Sequence, residues 1–224
     1  MESVRNRYLF LEELKSAFEK MLDELNSKPS LHIKDLNPKN TVLIIIDMVN
    51  GFCKEGSLYS SRIKSLIENT VETMKLCREN NIPVIAFADS HTDKSPELKA
   101  YPPHCIKGSL ESEIIDEIKE VGGYTLIEKN STNGFLEDKF QQWLKENSQI
   151  TNMIVIGDCT DICIEQFSNC AKAYYNIKDI ESRIIVPMDT VETYDLGTHK
   201  ADLLNIVASF IMAGNGVELI KTIE

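Results

Sequence analysis

The sequence predicts a three-layer α/β/α fold in which helices cover both faces of a six-stranded, mostly parallel β-sheet. Short runs of apolar, β-branched residues alternate along the chain with longer amphipathic stretches. These runs show no polar alternation, which is typical of strands that are buried on both faces of a sheet. The chain has 224 residues, of which 42% are hydrophobic, and this is enough to bury a sizeable core. We therefore expect one α/β domain in most of the chain.

The predicted elements follow one another in a regular order. An amphipathic helix over residues 1–26 comes first and ends at the turn-prone segment 27–30. The predicted strands cover residues 41–46, 83–88, 124–127, 152–156, 183–186 and 217–220. The predicted helices between them cover residues 60–80, 110–119, 135–146, 161–176 and 198–212.

This order divides the chain into an N-terminal helical extension, residues 1–40, and a single domain, residues 41–224. We expect the extension to pack on the surface of the domain or on a partner subunit. A homo-oligomer is one of the assemblies that this division allows.

Charge and composition restrict the classes of function. The 35 Asp and Glu residues outnumber the 24 Lys and Arg residues, which gives a net charge of −11. Such a surface repels phosphate backbones and anionic lipid, so we expect neither a nucleic acid nor a membrane as partner. The N-terminal residues lack the apolar core and cleavage site of a secretory signal. We therefore expect a cytoplasmic protein whose six cysteines are reduced thiols.

Polar residues that could act in catalysis or bind a metal follow the predicted strands, at the points where those strands end. Asp47 follows the first strand, Asp89 and His91 follow the second, Lys129 follows the third, and the segment 157–163 follows the fourth. In open parallel sheets, ligands bind beyond the carboxyl ends of the strands. These residues are therefore expected to meet at one edge of the sheet.

Cys163 is the candidate nucleophile. It is predicted to lie in the first turn of a helix, after a turn at Gly157 and a Thr160-Asp161 pair able to cap that helix. The helix dipole and free N–H groups there are expected to lower the thiol pKa and to bind an oxyanion. The alternative is a small buried residue that packs the helix against the sheet, which is the role expected of Cys170.

Asp47 and Lys129 are the candidate partners of this thiol. Asp47 follows a run of apolar residues, so it either caps the turn at Asn50-Gly51 or acts as a buried base with a raised pKa. Lys129 would hold such an acid in its ionised form and favour the thiolate. The alternative for Lys129 is a solvated loop residue.

Four further residues form a candidate metal set with the pattern D-x-H-x5-E-x6-H. Imidazole and carboxylate groups bind first-row metals, with Zn²⁺ expected here and Mn or Fe as alternatives. A polar loop with scattered histidines is the other interpretation, because the pattern is not a generic motif. The set consists of Asp89, His91, Glu97 and His104.

Taken together, these segments resemble the isochorismatase-like cysteine hydrolases and, within them, the nicotinamidases. The resemblance extends from about Thr41 to the C-terminus. It rests on the D-x-x-x-x-F segment 47–52, the IEKNSTNGF segment with Lys129, the G-x-x-T-D-x-C segment 157–163, the D-x-H pair and the Y-P-P-H-C segment 101–105. It implies an isochorismatase-like α/β/α fold and an enzyme that hydrolyses a small-molecule amide.

The resemblance also implies a role for each residue. Asp47 would accept the thiol proton of Cys163, and Lys129 would complete the catalytic set. Backbone N–H groups of Cys159 and Cys163 would form the oxyanion hole. The reaction implied is the conversion of nicotinamide to nicotinate and ammonia through a thioester. A divalent metal held by the four-residue set would anchor the pyridine ring, which would be flanked by Phe52 and Tyr101.

Two positions depart from the family pattern. Tyr101 stands where the family usually has Trp, and Asp158 occupies a position that is normally apolar. The bond after it, Asp158–Cys159, is a cis peptide in the family and orients the oxyanion hole. The resemblance therefore implies a cis bond at a residue type that is unusual there.

Three alternative functions fit parts of the sequence. Another amidase of the same superfamily, acting on a carbamoyl or acylamide substrate, would keep the Cys–Asp–Lys set without a metal. A non-catalytic scaffold or regulatory protein would hydrolyse no amide. A thiol-based sensor would be oxidised reversibly at Cys163 without turnover. The D-x-H and P-P-H segments favour the nicotinamidase over the first of these.

Overall fold

Seven β-strands and eight α-helices are found in residues 6–224, which are the residues that the computed structural model describes. The strands are β1 (Thr41–Ile46), β2 (Val84–Asp89), β3 (Tyr124–Lys129), β4 (Asn152–Asp158), β5 (Arg183–Pro187), β6 (Val191–Glu192) and β7 (Glu218–Ile220). The helices are α1 (Arg7–Asn26), α2 (Asn50–Cys53), α3 (Ser61–Lys64), α4 (Ile67–Glu79), α5 (Asp116–Val121), α6 (Asp138–Glu146), α7 (Glu165–Asn176) and α8 (Ala201–Gly214).

The strands form one parallel sheet with the order β3-β2-β1-β4-β5-β7, and β6 pairs with β4 beside this path. The predicted α/β/α fold is confirmed. The predicted count of six strands is one too low for the described part of the chain. The additional strand, β6, has two residues, which is too short to produce an apolar run in the sequence.

The register of the central strands sets the positions of the polar residues. Ile46, the last residue of β1, lies opposite Phe87 of β2 and Gly157 of β4. On the next pair, Asp89 lies opposite Lys129. The predicted second and third strands stopped short of these two residues, whereas β2 and β3 include them. Both side chains are therefore held by the sheet and not by a loop.

The core lies on both faces of the sheet, as the uninterrupted apolar runs predict. Every residue of β1 is 0% exposed. Leu43 and Ile45 pack in one cluster with α4 and α5, while Val42, Ile44 and Ile46 pack in the other with α6, α7 and α8. Full burial of one such side chain contributes roughly 1.5–3 kcal/mol, so β1 provides a rigid base for the residue that follows it.

Several predicted helices differ in their details. The segment 60–80 is split into α3 and α4, and the segment 110–119 contains a 3-10 turn, Leu110–Ser112, before α5 begins at Asp116. The segment 161–176 begins with a wide π-helical turn, Thr160–Ile164, and only then continues as α7. Cys163 therefore lies in the wide turn that precedes the helix.

The predicted N-terminal helix is α1. Residues 1–5, which the prediction included in this helix, lie outside the described part of the chain. The Asn6 side chain caps α1 by accepting hydrogen bonds from the N–H groups of Tyr8 and Leu9. Helix α1 packs against α8 and buries only Leu25. None of the described helices has the length and apolar character that crossing a membrane requires.

The chain after α1 runs along the end of the sheet. Leu31 pairs with Ile223 in a parallel bridge, and the Lys221 N–H donates to the Pro29 carbonyl at 2.8 Å. Ile33 and Leu36 are 4% exposed and belong to the core cluster that contains Leu43. This part of residues 1–40 is packed into the domain.

Candidate active site

A buried lysine brings the three predicted catalytic residues together. Lys129 is 1% exposed, and its Nζ lies 2.8 Å from Asp47 Oδ2. The same Nζ contacts Asp89 Oδ1 and lies 3.7 Å from Cys163 Sγ. Asp47, Lys129 and Cys163 therefore surround one ammonium group, and the interpretation of Lys129 as a solvated loop residue is wrong.

The backbone conformation of Asp47, directly after β1, sets the position of its side chain. Its φ of 58° lies in the left-handed region, which Asp tolerates better than most residues. The N–H of Asn50 donates to the Glu113 carbonyl at 2.9 Å, and no side chain caps α2. The interpretation of Asp47 as a cap for the Asn50-Gly51 turn is therefore wrong, and its carboxylate faces Lys129.

Burial and charge act in opposite directions on this group of residues. Burial raises the pKa of Asp47 to about 7, against the opposing charge of Lys129. Burial also disfavours the charged forms of Lys129 and Asp89. The attraction between the lysine and the neighbouring carboxylates outweighs this effect of burial. The pKa of Lys129 is therefore raised above its usual range and that of Asp89 is held well below. Near neutral pH, Lys129 and Asp89 are ionised, while Asp47 can release or accept a proton.

Cys163 is held by the wide turn Thr160–Ile164. The expected cap by Thr160-Asp161 is wrong, because the N-cap position is Cys159 and no side chain makes a capping hydrogen bond. Asp161 instead points to His199, whose Nε2 lies 2.9 Å from Asp161 Oδ2. The thiol is thus positioned by backbone turn geometry and by a side-chain contact to a distant loop.

The pKa of the Cys163 thiol is raised well above its usual value, mainly by burial. The charge of Lys129 lowers this pKa, but the carboxylates of Asp47 and Asp89 oppose that effect. The expected lowering of the pKa by the helix terminus is therefore wrong. Cys163 rests as a thiol, so it needs a neighbouring base to become a nucleophile.

The segment before Cys163 contains the cis bond that the family resemblance implies, between Asp158 and Cys159. Gly157 precedes it with φ of 114°, and a Cβ at this residue would lie 2.0 Å from the Ile46 carbonyl oxygen. Only glycine fits a backbone that approaches β1 so closely. Gly157 therefore allows β4 to turn toward the site.

The four predicted metal ligands form a second cluster beside the lysine. Their potential ligand atoms all lie within 4.8 Å of one another. Asp89 Oδ2 lies 3.3 Å from His91 Nε2 and 3.6 Å from His104 Nε2, and His91 Nε2 lies 3.7 Å from Glu97 Oε1. These separations leave room for one ion at the centre of the cluster.

The chemistry of this donor set fits a divalent metal. His104 Nδ1 lies 2.8 Å from the Pro102 carbonyl, which orients the ring so that Nε2 faces the cluster. Both ring nitrogens of His91 are buried without a hydrogen-bond partner among the described residues. Glu97 Oε2 accepts from the Thr132 N–H at 3.1 Å, which leaves Oε1 free. Two imidazoles and two carboxylates suit Zn²⁺, Mn or Fe.

One cavity joins the thiol to the four-residue cluster. Its empty volume is about 400 Å³. The ring centroids of Phe52 and Tyr101 lie 5.8 and 6.0 Å from that of His104. Phe52 and Tyr101 therefore lie beside the four-residue cluster on the wall of the cavity. The lining residues are Phe52, Leu58, Ile63, Asp89, Glu97, Tyr101, His104, Thr132, Asp158, Cys159, Ile162, Cys163 and Tyr194.

Three residues that line the cavity, Leu58, Thr132 and Tyr194, carried no signal for this role in the sequence. Tyr194 follows β6, and its ring stacks on His199 with centroids 4.1 Å apart. His199 also reaches the Tyr194 carbonyl through Nδ1, at 2.8 Å. A two-residue strand gives no periodic pattern, so neither Tyr194 nor its link through His199 to the Cys163 turn had a signal in the sequence.

This fold and site define the chain as an amidohydrolase. It belongs to the isochorismatase family, since the Isochorismatase domain matches residues 41–215. Nicotinamidase 1 of Arabidopsis thaliana is 33% identical, over 84% of this chain and 89% of the relative.

Two solved structures are similar. N-carbamoylsarcosine amidase from Thermoplasma acidophilum is 26% identical, with a TM-score of 0.66 over 81% of this chain and 96% of that structure. Pyrazinamidase of Pyrococcus horikoshii in complex with zinc is 18% identical, with a TM-score of 0.66 over 81% of this chain and 99% of that structure. At that identity, the second similarity concerns the fold alone.

Proposed function

We propose that the chain hydrolyses nicotinamide to nicotinate and ammonia through a thioester on Cys163. One observation carries this proposal: a single cavity is lined both by Cys163 and by three members of the metal-binding set. A substrate of this class needs both, since its amide reacts while its ring nitrogen is held. The similarity to Nicotinamidase 1 of Arabidopsis thaliana supports the same substrate.

Asp47 is the general base of the first step. Its pKa of about 7 is below that of Cys163, so about half of the Asp47 carboxyl groups are ionised at neutral pH and can take the thiol proton. The thiolate sulfur then attacks the amide carbonyl carbon. Lys129 keeps its positive charge and stabilises the negative charge as it moves from Asp47 to the sulfur.

The oxygen of the tetrahedral intermediate accepts hydrogen bonds from the backbone N–H groups of Cys159 and Cys163. Asp47 returns its proton to the departing nitrogen, and the C–N bond breaks to release ammonia. A water molecule then attacks the thioester carbonyl and gives up a proton to Asp47. The C–S bond breaks, and that proton returns to the Cys163 sulfur as nicotinate leaves.

The four-residue cluster and the aromatic side chains beside it would orient the ring. A divalent ion held by Asp89, His91, Glu97 and His104, Zn²⁺ in the first instance and Mn or Fe otherwise, would supply a Lewis-acid contact for the pyridine nitrogen. Phe52 and Tyr101 provide the flanking aromatic faces, and the phenol of Tyr101 replaces the Trp that is usual in the family.

Ammonia release from nicotinamide and from benzamide tests this proposal. Benzamide has the same shape and the same amide but no ring nitrogen. We expect nicotinamide to be preferred by at least about 100-fold in kcat/KM, because a site built around a polar contact rejects the analogue that lacks it. Equal rates for the two amides would disprove the role of the ring nitrogen.

Hydrolysis of a carbamoyl compound is the second candidate. The similarity to N-carbamoylsarcosine amidase favours it, while the four-residue metal set favours nicotinamide. An N-carbamoyl amino acid is therefore included in the same assay. If the protein hydrolyses this compound even after chelator treatment and does not hydrolyse nicotinamide, the second candidate function would be favoured. Absence of hydrolysis of every amide would favour a scaffold or regulatory role.

The proposed reaction belongs to the salvage of NAD, because it prepares a pyridine carboxylate from the amide. We propose a cytoplasmic location, since all six cysteines are free thiols and such thiols are typical of reducing compartments. A homo-oligomer also stays a proposal, which light scattering of the purified protein tests.

A further inference from the structure

Asp158 is a buried acid on the wall of the cavity, and the proposed chemistry does not use it. It is the last residue of β4 and is 0% exposed. It lines the same cavity as Cys159 and Cys163.

The hydrogen bonding of this carboxyl group is incomplete. Its Oδ1 is 3.7 Å from Cys159 Sγ, a weak donor. Its Oδ2 is buried and has no partner within residues 6–224. Buried polar atoms in native proteins are nearly always paired, so an unpaired oxygen on a residue that lines a cavity is a candidate to be paired by a bound molecule.

Asp158 is also neutral in this environment. Burial raises its pKa well above the usual range, and the nearby charge of Asp47 raises it further, against the effect of Lys129. Lys129 is engaged by Asp47 and Asp89, and no ion pair joins it to Asp158 within residues 6–224. A neutral carboxyl group has one O–H donor and one carbonyl oxygen that accepts.

The group of the substrate that matches this acceptor is the amide nitrogen. In the proposed function, the substrate carbonyl oxygen is taken by the N–H groups of Cys159 and Cys163, and the ring nitrogen by the metal set. The –NH2 group is then the remaining polar part of the substrate. Asp47 reaches its nitrogen when it delivers the proton, so at least one of the two N–H bonds still needs an acceptor. Asp158 directly precedes Cys159 in the chain, so its carboxyl group lies next to a backbone N–H that binds the carbonyl oxygen of the same amide.

We propose that Asp158 accepts a hydrogen bond from the –NH2 group of the substrate and thereby selects primary carboxamides over esters. This inference rests on the proposed function and deepens it. Asp158 is thus a specificity-determining residue, which is separate from the Asp47–Lys129–Cys163 set that makes and breaks bonds.

The test compares nicotinamide with methyl nicotinate in the wild type, Asp158→Val and Asp158→Asn. Both substrates form the same nicotinoyl thioester, so kcat/KM isolates its formation. Val removes the acceptor but keeps a similar size, whereas Asn keeps a carbonyl oxygen and matches the neutral acid. We expect Asp158→Val to lower kcat/KM for nicotinamide by about tenfold and to leave methyl nicotinate within about twofold. Asp158→Asn should retain the preference of the wild type for the amide.

A parallel loss for both substrates in Asp158→Val, or an unchanged ratio between them, would overturn the inference and leave the proposed function intact. An equal loss of the amide preference in Asp158→Asn would also overturn it. A wild-type protein that hydrolyses no nicotinamide would overturn the proposed function as well. If Asp158→Val fails to fold by circular dichroism, Asp158→Ala makes the same comparison.

Discussion

Asp89 and Lys129 face each other in register at the ends of β2 and β3, and their side chains form a buried ion pair. The other carboxylate oxygen of Asp89 faces His91 and His104. One residue therefore belongs to both clusters: it neutralises the lysine beside Cys163 and contributes to the metal-binding set. A change in either cluster is expected to affect the other through this carboxylate.

Replacement of the thiol should abolish turnover without unfolding the protein. For Cys163→Ala we expect a loss of at least about 10³-fold in kcat for nicotinamide, measured by ammonia release, with an unchanged circular dichroism spectrum. Cys170→Ala is the matched control. Its sulfur accepts a hydrogen bond from Asn133 Nδ2 at 3.2 Å, so its loss should cost about 1 kcal/mol of unfolding free energy but little activity. Substantial turnover by Cys163→Ala would exclude this cysteine as the nucleophile.

The rate should depend on pH through Asp47. Because its pKa is about 7 in the folded protein, Asp47 is mostly protonated at lower pH and cannot accept the thiol proton. We expect kcat/KM to fall by up to about tenfold per pH unit below this value and to level off above it. A profile that stays flat between pH 5 and 8 would show that another group is the base.

Loss of the lysine charge should destabilise the protein, and more strongly at high pH. Lys129→Met leaves the buried carboxylates of Asp47 and Asp89 without their cation, which typically costs roughly 3–5 kcal/mol. Lys129 lowers the pKa of Asp47, which is about 7 in the wild type, so without the lysine Asp47 must take up a proton. That proton uptake costs more free energy as the pH rises above about 7. Denaturant unfolding at pH 8 and pH 5 measures this difference. Addition of Asp47→Asn should restore part of the stability at pH 8, and no restoration would argue against the pairing.

Metal binding should require the four-residue cluster. Zn²⁺ at about 100 times its Kd should stabilise the wild type by about 2.7 kcal/mol, seen as a rise in melting temperature, and His104→Ala should lose most of this effect. Asp93→Ala is the control, because Asp93 is an exposed carboxylate of the same loop outside the cluster. Elemental analysis after dialysis provides a second measurement. Equal zinc content in the three proteins would contradict the assignment.

Gly157 should tolerate no side chain. In Gly157→Ala the added methyl group would overlap the Ile46 carbonyl at 2.0 Å, so β4 must shift away from β1. We expect a loss of at least about 3 kcal/mol of unfolding free energy together with a large loss of activity. Gly214→Ala, at the end of α8 where nothing lies within 4 Å of the added carbon, should be neutral or slightly stabilising. Similar stability for both variants would show that the backbone at Gly157 is more adaptable than this.

Much of the fold could be predicted because a strand buried on both faces requires a run of apolar residues in the sequence. Six strands appear as apolar runs, and the polar residues that follow them mark the edge where Asp47, Lys129 and Cys163 meet. The two-residue strand β6 leaves no such mark, so the position of Tyr194 was not predicted. The direction of the Cys163 pKa was also wrong, because it depends on burial and on the charges around Lys129. Neither can be judged from helix position alone.

The pairing of residues 29–33 with the last four residues has a consequence for self-association. Strand β7 ends the order of the sheet, and a terminal strand with free N–H and C=O groups is a template for pairing with other chains. Here the backbone of Ile33 donates to Glu224 at 2.7 Å, and that of Glu224 donates to Leu31 at 3.0 Å. The segment after α1 thus occupies backbone groups just beyond β7 with which another chain could otherwise pair, a role separate from the chemistry of Asp47, Lys129 and Cys163.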